Sequence, residues 1–354
     1  MYLAATKIKV MSRFFKAILV VASGLFIFSC NKDDDSNGAK PEPYDEQYVK
    51  DLAKIDEFID NHHMKVDPVT FEVVFTKIRT LGDSATIRTQ TDYPLQFKMV
   101  ENEDHEVNYK MYYIKFREGT NVQPTRVDSV LVSYRGEYLY EKKEEVPATN
   151  PVTYIEYITG QQFDQAQNPV WFSLDMVVDG WKEILPLFKS GTSSFDSGTG
   201  VISYDNFGAG IFFIPSGLGY YSSTASLPKY SPMVFSIKLK HVNRADHDFD
   251  GIDSYLEDLD GDGKFEVEEG VDDNTVDDDT DDDGRANYRD QDDDGDSYLT
   301  KVERLNGDTD SDGKLNYLDS DDDNDGLLSV DEKTGDADND GILNYMDADT
   351  VIRK

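Results

Sequence analysis

Between Asp246 and Asp347 acidic side chains recur at alternate positions, and that spacing suits one kind of chemistry. Carboxylates at positions 1, 3 and 5 of a tight loop, with another at position 12, can converge on a hard cation such as Ca2+, which takes about six to eight oxygen ligands. Glycine at position 6 supplies the left-handed backbone that the turn requires. Asp321, Asp323, Asp325 and Glu332 fit this spacing around Gly326, and Asp258, Asp260, Asp262 and Glu269 fit it around Gly263. Asp292, Asp294, Asp296 and Glu303 fit with Ser297 in the glycine position, and Asp246, Asp248, Asp250 and Glu257 make a first copy. A second form closes on aspartate: Asp279, Asp281, Asp283 and Asp290; Asp308, Asp310, Asp312 and Asp319; Asp336, Asp338, Asp340 and Asp347. Seven loops in register are not the pattern of a disordered acidic tail. The apolar residue at position 8 is expected to pair with its counterpart in a neighbouring loop.

The loops follow one another too closely for paired helices to separate them. Individually they resemble the EF-hand loop; as a string they resemble thrombospondin type-3 repeats, in which the chain wraps structural Ca2+ ions with little hydrophobic core. Extracellular modules of such affinity bind with dissociation constants of roughly 10⁻⁴ to 10⁻³ M, which suits an exported protein. Charge divides the chain at the same place. Residues 246–354 carry 40 acidic side chains against 9 basic ones, and residues 1–245 carry 31 against 26. So acidic a chain offers no basic surface to displace counterions from phosphate, which excludes nucleic acid as a partner.

The single cysteine, Cys30, excludes an intrachain disulfide. Lys7, Lys9, Arg13 and Lys16 precede an apolar run from Ala17 to Phe28, too short to span a bilayer and of the length of a secretory signal core; the signal also reads from Met11. The run ends Ile27-Phe28-Ser29-Cys30, which resembles the lipobox of bacterial lipoproteins and implies cleavage before Cys30 and acylation of its thiol. Asn31-Lys32-Asp33-Asp34-Asp35 is similar to the surface-export signal of some Gram-negative lipoproteins. The expectation is a signal peptide at 1–29, a flexible tether at 30–43, a membrane partner through lipidated Cys30, and an outer-membrane or cell-surface location.

Residues 44–104 form an N-terminal segment. Tyr48, Leu52, Ile55, Phe58 and Ile59 mark one face of a helix over 45–61, expected to pack on the domain that follows. A strand over 69–78 should place Val73 and Val74 inside, and His62, His63 and His105 read as surface residues.

From 105 to 243 the pattern becomes short β-rich segments at 111–116, 130–134, 170–174, 211–215 and 233–239, with one helical stretch at 180–188. This composition predicts an α+β domain. The residues carry a closer likeness: Val130-Leu131-Val132-Ser133-Tyr134-Arg135-Gly136, then Phe163-Asp164, Val177-Val178-Asp179-Gly180-Trp181, Phe213 to Tyr220, Leu227-Pro228 and Met233 to Leu239. In this order they resemble the FKBP-type peptidyl-prolyl cis-trans isomerases. The resemblance implies an antiparallel sheet around a short helix, proline-containing client polypeptides as substrates, and no cofactor for catalysis. It implies a pocket lined by Tyr134, Phe163, Asp164, Val177, Val178, Trp181, Tyr220, Leu227 and Phe235. Trp181 would be the floor; the Tyr220 hydroxyl and the Val178 N–H would donate to a substrate carbonyl. Three features depart from the family: no Arg is evident to pair with Asp164, Tyr221 stands where Gly is usual, and insertions at 138–161 and 192–208 are expected beside the rim. No Ser/His/Asp or Cys/His set suggests a hydrolase.

Overall fold

A computed structural model describes residues 40–79, 84–146, 151–223, 227–267 and 277–349. Cys30, the signal segment and Glu269 lie outside these residues. The chain divides into two units at Pro41/Glu42, and the second holds the elements that follow. Among the described residues no helix is long and apolar enough to cross a membrane.

Helix α1 (Tyr44–Asn61) begins after Pro43, with Asp45 and Glu46 in its first turn, where carboxylates favour the helix dipole. It ends as His62 turns extended into β1 (His62–Val66), which pairs antiparallel with β2 (Val73–Lys77). Strands β3 (Gln96–Asn102), β4 (Val107–Arg117), β5 (Ser129–Val146), β6 (Thr153–Ser173), β9 (Gly208–Ile214) and β10 (Met233–Asn243) form one antiparallel sheet ordered β3-β4-β9-β10-β5-β6. The short helix α2 (Asp179–Ile184) precedes a separate hairpin of β7 (Thr192–Asp196) and β8 (Val201–Asp205). The described chain is therefore α+β, with antiparallel sheets and few helices. Its main sheet starts at β3, ahead of the boundary drawn at residue 105.

Side chains alternate across a strand, and the central strands are apolar on both faces because each face is covered. On β10, Phe235, Ile237 and Leu239 join Trp181, Ile184 and Phe188 on one side, while Val234 faces the other. That other face receives Ile55, Phe58 and Ile59 of α1, against Ile114, Ile211 and Phe213. Helix α1 thus docks on its own domain, as its apolar spacing predicts. A polar clasp fixes it: Asp51, fully buried, accepts from the Gln47 amide at 2.6 Å and from the Ser216 N–H at 2.7 Å.

Two expectations fail here. Val73 is buried but Val74 is 57% exposed, since only alternate residues of β2 face the core. His62 is not on the surface: its ring stacks on Phe58 at 4.1 Å and shares a hydrogen bond with the Phe58 carbonyl at 3.0 Å. The 138–161 insertion is the long end of the β5–β6 hairpin: Leu139 and Ile158 pack beneath α1, and Tyr138 packs with the Trp181 cluster on the other face.

Candidate functional site

The nine residues named for the pocket come from six places in the chain and meet on the α2 side of the sheet. Tyr134 projects from β5, Phe163 and Asp164 from β6, and Phe235 from β10. Register explains the meeting: Phe235 pairs with Gly136, and Gly136 pairs with Asp164. A β-carbon at Gly136 would come within 2.6 Å of Phe235 and 3.0 Å of Phe163, so glycine is required for the rings to approach. Val177 and Val178 lead into α2, which brings Trp181, 4% exposed, under the rings. Trp181 lies edge-on to Tyr134 and to Phe235, each at 5.3 Å between centroids. Phe163 makes edge contacts with Phe235 at 5.8 Å and with Tyr220 at 6.3 Å. Such edge-to-face pairs add about 0.5–1.5 kcal/mol beyond area burial. Tyr220 remains 39% exposed, as a rim residue must, and Leu227 is buried in the same cluster.

The absence of an Arg near Asp164 is answered by Tyr134, whose hydroxyl donates to Asp164 Oδ2 at 2.6 Å. Burial, then this bond, pushes the Tyr134 pKa up, so Tyr134 stays a neutral donor. Burial also raises Tyr220, helped by the charge of Asp164. Tyr221 adopts a left-handed φ of 44° where glycine would be unstrained. It is held there by stacking on Tyr44 at 4.2 Å, by an edge contact with Tyr230 at 5.0 Å, and by donating its hydroxyl hydrogen to the Glu42 carbonyl. Two aromatics of the cluster escaped the sequence reading: Phe212, stacked on Phe235 at 5.7 Å, and Phe172. Phe172 lies 5.5 Å from Trp181 and 5.7 Å from Tyr134; its alternation with Val170 and Leu174 was the available signal.

The acidic loops share one backbone geometry. In all seven, the position-6 N–H donates to the position-1 carboxylate, from Gly251 to Asp246 at 3.2 Å through Gly341 to Asp336 at 2.9 Å. In all seven, the position-5 N–H donates to the position-3 carboxylate. Positions 4 and 6 are both left-handed throughout, including Phe249, Asp282 and Ser297, which are not glycine. Position 9 was not anticipated. Ser254, Asn287, Thr300, Asn316, Ser329 and Asn344 each accept from the position-2 N–H of their own loop, pinning the loop's second half to its first.

These turns aim carboxylates inward. Asp279, Asp281 and Asp283 bring oxygens within 4.8 Å of one another, as do Asp292, Asp294 and Asp296. Glu257, Glu303 and Glu332, at position 12, are 2%, 0% and 1% exposed, and no oxygen of Glu257 or Glu303 has a hydrogen-bond partner. Burial first, and neighbouring carboxylates second, push Glu257 and Glu303 up to about 9 and Glu332 to about 7. Buried carboxylates without donors fit a divalent cation, which would satisfy their charge and their lone pairs together. Asp278, outside the expected set, groups with Asp258 and Asp260.

The position-8 pairing holds only in part. Phe265 and Ala286 are buried in one cluster with Tyr288 and Val127, but Leu299, Leu315, Leu328 and Leu343 are 40–47% exposed. Buried contacts form instead through Tyr298, which stacks on Tyr345 at 3.9 Å.

A family model described as BamM C-terminal matches residues 247–307, inside the acidic array. No curated protein matches the chain. Among solved structures the chain is similar to a peptidyl-prolyl cis-trans isomerase from Pseudomonas syringae pv. tomato, with 23% identity and a TM-score of 0.27, over 41% of this chain and 81% of that one. It is similar to FkpA from Escherichia coli, with 23% identity and a TM-score of 0.26, over 38% of this chain and 48% of that one. The chain thus spans about half the length of FkpA.

Proposed function

We propose that the sheet domain is a peptidyl-prolyl cis-trans isomerase and that the array holds structural Ca2+, in a lipoprotein anchored through Cys30 at the outer membrane or cell surface. The observation that carries the isomerase reading is the convergence of Tyr134, Phe163, Trp181, Tyr220 and Phe235 around Gly136, in the order of the motifs that resemble the FKBP family. The anchor rests on the apolar run ending at Cys30, and the match to the BamM C-terminal model supports an outer-membrane-associated setting.

Rotation about an X-Pro amide meets a barrier of roughly 18–20 kcal/mol because twisting breaks resonance, and unaided it takes tens to hundreds of seconds. A planar amide carries more charge on its carbonyl than a twisted one. An aromatic surface that excludes water therefore disfavours the planar form relative to the twisted form, without nucleophile or covalent intermediate. In this reading Trp181 and Phe235 seat the proline ring. Tyr220, a neutral phenol whose pKa burial raises further, donates to the substrate carbonyl beside the N–H of Val178. The Tyr134–Asp164 bond fixes the two side chains to each other across β5 and β6.

Two experiments test this. The first is the cis-to-trans rate of a Leu-Pro or Phe-Pro peptide with the full chain; a folded protein with no rate above background would leave the cluster as a binding surface for proline-containing segments. The second is limited proteolysis of residues 246–349, expected to be fast in chelator and slow in millimolar Ca2+. Equal cleavage in both would rule out the calcium role. Replacement of Cys30 by Ala, followed by detergent partition, tests the anchor in the same preparation.

A further inference from the structure

Position 2 is not a ligand position of a twelve-residue calcium loop, whose own ligands sit at 1, 3, 5, 7, 9 and 12. The array carries His247, Leu259, Thr280, Thr309 and Ala337 there, and aspartate only at Asp293 and Asp322. Both aspartates are 2% exposed, and both reach into a different loop. Asp293 of the fourth loop stands with Asp248, Asp250 and Glu257 of the first, one oxygen of each lying within 4.8 Å of the others. Asp322 of the sixth loop stands in the same way with Asp296 and Glu303 of the fourth. We propose that Asp293 and Asp322 are calcium ligands in trans between loops: each completes the shell of an ion held by an earlier loop, so two ions bridge the first, fourth and sixth loops. This rests on the calcium reading of the array.

Buried side chains without partners support it. Both oxygens of Glu257 and of Asp293, and one each of Asp248 and Asp250, have no hydrogen-bond partner. At the second site both oxygens of Glu303 and one of Asp322 have none. Asp248 and Asp250 each accept one backbone N–H, but the remaining oxygens of this group are buried without donors; carboxylates so placed repel one another, and a shared cation reverses the sign of that interaction.

Side-chain donors on backbone carbonyls hold the same loops together independently. The Gln291 amide donates to the Asp248 carbonyl at 2.6 Å, and Arg304 Nε donates to the Asp250 carbonyl at 2.9 Å. These bonds flank Asp293 and Glu303 in sequence and fix the fourth loop against the first. The position-2 residues of the other loops carry no carboxylate, so bridging from position 2 is confined to these two sites.

The test is Ca2+ stoichiometry and affinity of the full chain by equilibrium dialysis and calorimetry, for the parent and for Asp293→Asn, Asp250→Asn and the double variant. Asp282→Asn serves as control: it removes the same charge at an exposed, left-handed position outside the inward-facing set. Asp293→Asn is expected to weaken one ion by roughly tenfold or more, although every ligand position of the first loop is intact. Asp250→Asn should weaken the same ion, and the double variant should lose one ion rather than two. Asp322→Asn should weaken an ion of the fourth loop. Binding by Asp293→Asn equal to that of Asp282→Asn, or loss of two ions in the double variant, would overturn the bridge while leaving the array a calcium module. No Ca2+ bound by the parent would overturn the array reading as well. Should Asp293→Asn be poorly folded, Asp322→Asn decides by the same measure.

Discussion

Arg289, in the third loop of the array, donates a 2.8 Å hydrogen bond to Asp175, in the turn that leads into Val177, Val178 and Trp181. Asp175 also accepts from Ser173 at 2.5 Å and faces His247 at 3.6 Å. Burial opposes its charge, but these partners hold its pKa below the usual carboxylate range. Val127 packs with Phe265 and Tyr288 beside this contact, and Arg244 pairs with the buried Asp128. The array therefore touches the segment that positions the candidate site, and the sheet domain is not expected to be indifferent to calcium.

Removing Ca2+ should accordingly weaken binding of a Leu-Pro peptide to the full chain, and Arg289→Ala should reproduce part of the loss in calcium. Arg289 is 49% exposed, so its pair with Asp175 is worth at most about 1 kcal/mol, and the expected change is roughly two- to fivefold. Peptide affinity measured in Ca2+ and in chelator for both proteins checks this. Identical affinities in all four conditions would show that the contact transmits nothing.

Substitutions in the aromatic site should act unequally. Tyr220→Phe keeps the ring and removes one hydrogen bond, at roughly 0.5–1.5 kcal/mol of transition-state binding. Phe163→Ala opens the wall and should cost the rate more than Tyr220→Phe. Trp181→Ala removes a buried floor and should cost about 3–5 kcal/mol of stability, which makes it a measure of folding rather than of chemistry. Rates of peptide isomerisation, with denaturant midpoints measured alongside, separate the two effects.

His62 gives a pH dependence. Burial, partly offset by the Phe58 carbonyl, lowers its pKa to about 4, with Lys77 lowering it further. Arg135 and Glu137 share the cavity of about 200 Å³ that His62 lines, and they pair with each other at 2.5 Å. Above the unfolded value of about 6.5 the ring is neutral folded or unfolded, and stability is at its full level. As pH falls from about 6.5 to about 4 the unfolded state takes up the proton first, and stability falls by up to about 3 kcal/mol. His62→Gln should flatten the denaturant midpoint over that window. A midpoint slope unchanged in the variant would assign the pH dependence elsewhere.

Ser297 is the only position-6 residue that is not glycine, at a φ of 82°. Ser297→Gly should relieve about 1 kcal/mol of left-handed strain. The expected result is slower proteolysis of the array in Ca2+ and a higher thermal midpoint. A lower midpoint would mean that the Ser297 side chain contributes more than its backbone costs.

What could be read from the sequence was whatever repeats locally. The loop register was legible because alternate carboxylates and a glycine six residues in are a short-range pattern. The docked face of α1 was legible because Leu52, Ile55, Phe58 and Ile59 keep helical spacing. The aromatic site was legible only through ordered likeness, since Gly136, Phe163 and Phe235 meet by strand register across a long hairpin. Asp293 and Asp322 were missed because their partners lie in other loops, where spacing within one loop carries no information. Val74 was misplaced because strand parity depends on pairing with β1, and His62 because its burial comes from Phe58 and the β5–β6 hairpin above it.

Strand β6 is the outer strand of a six-stranded sheet, with Tyr154, Ile155 and Trp171 about half exposed along it. An edge of that length is a template on which a second copy could add strands and begin to aggregate. Here the edge is blunted along its length. The N–H of Ile158 is taken by Glu57 of α1 at 3.1 Å, Pro169 has no N–H to offer, and the pairing with β5 slips between Val132 and Tyr134 and again between Gly136 and Glu137. The irregularity that lets Phe163 face Phe235 also denies a neighbouring chain a continuous ladder, so one stretch both shapes the aromatic site and interrupts the open edge.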